Sequence, residues 1–197
     1  MVLTTPLYKQ GSTESALTLL AFASRAGRSV GGPSTLRRSR IRTSPLGPVD
    51  RAVVGRQALL LRYVSIAEAY VDALMPDLLL QKMGPPTTLS RSMVHEIELS
   101  ASASWGRRLE TFKRVHGIQL SKCDGWKEVD ASTHARNSVA HGLGRLTASQ
   151  RQNPSFPMLV GRVGITVSGG AIVVSDAAVA NVRDACRRFI VAIDAAT

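Results

Sequence analysis

Aromatic residues are scarce in this chain: four Phe, three Tyr and two Trp make up 5% of its 197 residues. With so few large rings, a core has to be built mostly from Leu, Val, Ile and Ala, which suits packed helices better than a β-sandwich. Cysteine is scarcer still. Cys123 and Cys186 stand far apart and outside any C-x-x-C or Cys/His cluster, so the ligand spacing of a zinc site is missing. Two isolated cysteines suit a reducing, cytoplasmic setting. No apolar run approaches the ~18 residues that span a bilayer, so no membrane segment is expected. Acidic residues are also few, 14 against 25 Lys or Arg, leaving a formal net charge of +11. Such a surplus favours a polyanionic partner: RNA, DNA or an anionic surface. No metal and no cofactor is expected.

Hydrophobic residues make up 44% of the chain, enough for a sizeable core. The positive charge is unevenly spread. Residues 1–56 carry nine Lys or Arg against Glu14 and Asp50, whereas the remainder carries sixteen against twelve acidic residues. Residues 25–49 are rich in Gly, Ser, Pro and Arg and offer few side chains for a core. This divides the chain into a basic, partly flexible N-terminal extension, 1–49, and a helical domain, 50–197. The run "A-L-T-L-L-A-F-A" (16–23) has some features of a secretory signal, and the Arg/Ser-rich stretch behind it some of a transit peptide. The plainer expectation is a short helix started by Ser12 or Thr13. The extension reads first as solvated chain. In an RNA-binding protein its Arg37, Arg38, Arg40 and Arg42 would contact phosphates.

Asp50 is a plausible N-cap. Behind it, Leu60, Val64, Ala67, Val71, Leu74 and Leu78 recur at steps of four and three and predict a long amphipathic helix, kinked or interrupted at Pro76 and ended by "M-G-P-P-T-T". A second helix is predicted from about Leu89 to Val115, through Met93, Ile97, Ala101, Trp105, Leu109 and Phe112, with Gly117 as its stop. A third starts near Asp124 or Asp130 and ends at Gly142 or Gly144, followed by a polar loop at 149–155. The period then changes to two: Val163, Ile165 and Val167 alternate, Gly169-Gly170 can form a two-residue turn, and Ile172 to Val174 return. Ser175 or Asp176 caps a closing helix with Val179, Val182, Cys186, Phe189, Ile190 and Ile193 on one side. The predicted fold is mainly α: a small antiparallel helical bundle with a β-hairpin appended before the last helix.

The stretch "T-H-A-R-N-S-V-A-H-G" (133–142), in the C-terminal half of the third helix, holds two of the four histidines. At about 100° per residue, His134 and His141 fall within about 20° of one another and Asn137 within about 40° of His141, but Arg136 lies about 140° around. A site using Arg136 and His141 is therefore shallow and broad, or is completed by another element, most simply a second copy of the same helix. Arg and His together can cleave RNA without a metal. The ribose 2′-OH attacks the adjacent phosphate, His moves the proton near neutral pH, and the guanidinium stabilises charge on the phosphate oxygens. The spacing alone recurs by chance in many helices.

The octet "A-R-N-S-V-A-H-G" resembles the R-polar-x-x-x-H signature of HEPN domains. The order of the surrounding elements is similar too: "L-L-L-R-Y-V-S-I-A-E-A-Y-V-D-A-L", then "W-G-R-R-L-E-T-F-K-R-V-H-G-I-Q-L", then the signature helix, hairpin and last helix, as in free-standing HEPN proteins of the ribonuclease-toxin type. The resemblance covers about residues 50–197. It implies a HEPN-like bundle acting as a metal-independent endoribonuclease in toxin–antitoxin systems or antiviral defence. Its products would carry 2′,3′-cyclic phosphate and 5′-OH ends. It also implies a homodimer whose two signature helices build one cleft, with Arg136 and His141 catalytic and Asn137 supporting, and an antitoxin or regulatory protein as a further partner. Some family toxins carry a Tyr two residues after the motif His, where an antitoxin modifies them; here that residue is Leu143. His134 lies outside the signature and would line the RNA-binding cleft. Two rival readings remain open: a non-catalytic HEPN-like module that binds RNA or a partner, and a plain dimerisation bundle.

Overall fold

A computed structural model of the chain describes residues 7–29, 50–85 and 87–197, with the side chains of 7–12 and 26–29 outside the description. It is mainly helical, with one two-stranded antiparallel hairpin directly before the last helix, as the sequence predicts. The elements run α1 (Leu7–Ser29), α2 (Arg51–Met83), α3 (Thr88–Ser102), α4 (Trp105–Thr111), a π-turn (Phe112–His116), a 3₁₀ turn (Leu120–Lys122), α5 (Trp126–Gly142), α6 (Ala148–Gln152), α7 (Phe156–Gly161), β1 (Thr166–Ser168), β2 (Ala171–Val173) and α8 (Asp176–Ala196). Among the described residues no helix is long and apolar enough to cross a membrane.

α2 is the axis of the bundle, packed by α1, α3, α5 and α8. The predicted stripe Leu60, Val64, Ala67, Val71, Leu74 and Leu78 is buried, and so are Tyr63, Ile66, Tyr70, Met75 and Leu79 beside it. Being covered on several sides, α2 buries far more than one stripe. That also explains why the expected interruption at Pro76 does not occur: α2 runs unbroken to Met83. A proline inside a helix costs about 3 kcal/mol. Leu74, Met75, Leu78 and Leu79 flank it in the core, and each such burial contributes roughly 1.5–3 kcal/mol, so packing outweighs the lost bond.

The core also draws on residues ahead of position 50. Ala16, Leu20 and Ala23 of α1 are buried with it, so the expected boundary divides side chains that share one core. Thr13 Oγ1 donates to Asp194 of α8 at 2.8 Å and lies 3.1 Å from the Tyr70 hydroxyl. With its single proton given to Asp194, Thr13 accepts from Tyr70. Burial, with Asp194 adding to it, pushes the Tyr70 pKa up to about 12. Ser24 Oγ lies 2.9 Å from the Tyr63 hydroxyl. These links run α1 antiparallel to α2. In place of the short helix expected to start at Ser12 or Thr13, α1 begins at Leu7 and runs for 23 residues.

The single helix predicted from Leu89 to Val115 is instead α3, α4 and the π-turn. The break falls in the serine-rich "S-A-S-A-S" (100–104), whose side chains compete for backbone hydrogen bonds. Ser104, in extended backbone, accepts from Arg107 N and caps α4. Gly117, in the left-handed region, ends the π-turn as predicted. The predicted loop at 149–155 also holds structure. Thr147 and Gln150 form a capping box that starts α6, and α7 follows at Phe156.

The hairpin pairs Thr166 with Val173 and Ser168 with Ala171 across a Gly169-Gly170 turn in which both φ values are positive. Val163 and Ile165, ahead of β1, are buried as the alternation requires. Ser175 caps α8, and the whole predicted face from Val179 to Ile193 is buried. α5 starts at Gly125 against α8. A Cβ there would lie 2.5 Å from the Ala185 carbonyl oxygen, so only glycine allows the two helices to approach so closely.

Candidate functional site

The motif stretch lies on α5, as predicted. Ala131, Ser132, Ala135, Ser138 and Val139 face the core; Thr133, Arg136 and Asn137 are half-buried; His134, Ala140 and His141 are exposed. Two devices hold this half of the helix. Gln150 of α6 donates from Nε2 to the His134 carbonyl at 3.0 Å, while its Oε1 accepts from Ser138 Oγ and from Thr147 N, each at 3.0 Å. At the C-terminus, Gly144 N donates to the Ser138 carbonyl and Leu143 N to the Val139 carbonyl, which places Leu143 in the left-handed region at φ 51°. That position usually takes glycine. Here it holds an exposed leucine two residues beyond His141. Gly144 follows with φ +91°, and a Cβ there would meet the Gln57 side chain at 2.5 Å, so the end of α5 lies close against the start of α2.

Arg136 and Asn137 are brought together: Arg136 Nη1 donates to Asn137 Oδ1 at 3.5 Å. Arg136 Nη2 lies 3.7 Å from Glu68 Oε2 of α2, with the Arg136 side chain 32% exposed and that of Glu68 16%. Arg136 Nε is buried and has no hydrogen-bond partner. At this distance and exposure the ion pair contributes about 0–1 kcal/mol, too little to keep a phosphate from the guanidinium. His141 sits in the last turn of α5 and makes no hydrogen bond or ion pair with another described residue, Arg136 included. His134 Nε2 lies 3.9 Å from Asp130, one turn earlier. The predicted residues thus fall into a linked pair, Arg136 and Asn137, and two separate exposed imidazoles. Arg37, Arg38, Arg40 and Arg42 lie outside the described residues.

Glu68 carries no site signal in the sequence. It is one acid inside a buried apolar stripe, and 68 positions separate it from Arg136. Its other oxygen, Oε1, accepts from Trp105 Nε1 of α4 at 3.1 Å. One turn further along α2, Asp72 takes two hydrogen bonds from Arg108, both at 2.7 Å. The Asp72 bond is the main reason the Arg108 pKa is raised, with Glu68 adding a smaller push. The Arg108 guanidinium also stands 5.3 Å from the Trp105 ring centre. Trp105 meets Trp126 and Phe189 edge-on, with the two indole centroids 5.1 Å apart, and Trp126 and Phe189 are tilted against each other. Trp105 is the residue that could have drawn attention to this corner, being one of two tryptophans.

Chemically, this half of α5 offers a half-buried guanidinium with N–H donors to spare, a neighbouring amide and, apart from them, an exposed imidazole. Among the described residues no three of His, Cys, Asp and Glu converge as metal ligands would. Compared with protein families, curated proteins and solved structures, the chain finds no match.

Proposed function

We propose that the chain is a metal-independent endoribonuclease of the HEPN type, a toxin or defence effector acting as a cytoplasmic homodimer. The observation that carries this reading is Arg136. A half-buried motif arginine of α5 is held near Glu68 without a hydrogen bond, beside Asn137, with His141 exposed five residues further on. In the reaction the ribose 2′-OH attacks the adjacent phosphorus and loses its proton. The phosphorus–O5′ bond breaks, and the leaving oxygen takes a proton. Arg136 stabilises the charge on the non-bridging oxygens, His141 moves the proton, and Asn137 orients the guanidinium. One helix does not put Arg136 and His141 in contact, so the facing helix of a second copy completes the cleft, with an antitoxin or regulatory protein as restraint.

A second reading, a non-catalytic module that binds RNA, is favoured by the net charge of +11, which attracts phosphate without any chemistry. The deciding experiment incubates RNA with the protein in EDTA, using wild type, Arg136→Ala and His141→Ala. Cleavage that survives chelation, leaves cyclic phosphate ends and drops at least about 100-fold in each variant is expected. Binding without cutting supports the second reading, and cleavage that persists in both variants removes Arg136 and His141 from the site. Sedimentation of a strict monomer would rule out the two-copy cleft.

A further inference from the structure

Two arginines face neighbouring carboxylates of α2, and only one of them is locked. Asp72 grips Arg108 through two bonds of 2.7 Å. Glu68 has the same carboxylate but meets Arg136 only at 3.7 Å. The difference lies in what already occupies Glu68. Trp105 Nε1 donates to Oε1 at 3.1 Å, and that indole is held by Trp126 and Phe189. The carboxylate is thereby oriented by α4, α5 and α8 together. One oxygen is engaged by the indole, and the other is turned to Arg136 beyond hydrogen-bond reach. It acts on the guanidinium through its charge and leaves the N–H donors free.

We infer that Glu68, anchored by Trp105, is the positioning residue for Arg136: its charge holds the guanidinium beside Asn137 without taking a hydrogen bond, which leaves N–H donors for a phosphate. The inference rests on the ribonuclease reading for its consequence, but the link between the three side chains stands on the geometry. Arg136 Nε is buried and unpartnered, and Nη1 reaches only Asn137, at 3.5 Å. Little else fixes the group. The same negative charge also repels an incoming phosphate, so Glu68 holds ground-state RNA binding down while it favours the aligned guanidinium in the transition state. Glu68→Gln can keep the bond from Trp105 Nε1, because the amide oxygen accepts as the carboxylate did. It removes only the charge.

The test measures kcat and KM on an RNA oligomer in EDTA for wild type, Glu68→Gln, Glu68→Asp and Trp105→Phe. The Arg136 guanidinium ¹⁵N–¹H signals are recorded in parallel, assigned by their loss in Arg136→Lys. In Glu68→Gln, kcat is expected to fall about 10-fold with KM unchanged or lower. The Asp variant should recover part of the loss, Trp105→Phe should move the same way by less, and the Arg136 side chain should rotate faster in both Glu68→Gln and Trp105→Phe. A fall in kcat with a matching rise in KM, or Arg136 signals identical to wild type in both variants, overturns the inference. If the wild type cuts no RNA, the ribonuclease reading falls by itself and the guanidinium signals decide: faster rotation upholds the positioning role, and unchanged signals remove it.

Discussion

Asp72 and Glu68 stand one turn apart on α2, and each meets an arginine from another helix. Arg108 is 8% exposed and bound twice at 2.7 Å, whereas Arg136 is 32% exposed and reached at 3.7 Å. The first pair joins α2 to α4, whose end runs on into the π-turn that closes at His116. The second pair joins α2 to the motif half of α5, ahead of His141 and the strained Leu143 in the chain. The chemistry of the two pairs is the same and the setting differs. Where the arginine is buried and bonded twice, removing it strands the charge of its carboxylate. Where one partner faces water and the contact is long, little stability is at stake and the cation remains free for something else.

The largest stability effect should come from the sealed end. Arg108→Ala leaves Asp72 without its two bonds and should lower unfolding free energy by about 2–3 kcal/mol, short of a fully buried pair because Asp72 keeps some water contact. Arg136→Ala should cost less than about 1 kcal/mol in the same denaturant titration. Equal losses would erase the contrast between the two pairs. A smaller effect, in the π-turn behind α4, depends on pH. Both ring nitrogens of His116 are buried without a partner, and burial, with Lys82 adding to it, lowers its pKa from 6.5 to about 4. Because folding lowers this pKa, the unfolded chain takes up the proton first. Stability is therefore full above about pH 6.5 and declines as the pH falls toward 4, and His116→Gln should flatten that slope in melting curves taken across the window. The smallest change belongs to the open end. Leu143→Gly relieves a left-handed leucine and should raise stability by roughly 0.5–1 kcal/mol, the relief being partly offset by the freer unfolded chain. A drop in melting temperature instead would mean that the leucine packs against something.

The elements read best from sequence are those with one wet side. The α8 stripe and the Gly-Gly hairpin follow directly from period and turn chemistry, and Arg136, Asn137 and His141 sit on the helix where the motif puts them. What escaped the sequence depends on long-range side-chain links. Among its described side chains α1 buries Ala16, Leu20 and Ala23 in the core with Leu17 packed against it, a thin stripe that reads as part of a flexible arm. Its attachment runs through Thr13, Ser24 and two tyrosine hydroxyls of α2. The break before α4 turns on small serines, and its consequence is felt on α2, where it delivers Trp105 and Arg108 to the two carboxylates. Glu68 shows the limit most plainly, since an acid in an apolar stripe gives no sign of which distant arginine it will face.

The chain's only two tryptophans are packed against each other where α4, α5 and α8 meet, and one of them donates to Glu68. Tryptophan fluorescence therefore has a single address. Indole emission, excited to the red of tyrosine absorption, reports on one junction, so a change in its colour or yield when RNA or a partner binds would be a label-free optical readout of the corner that holds Glu68.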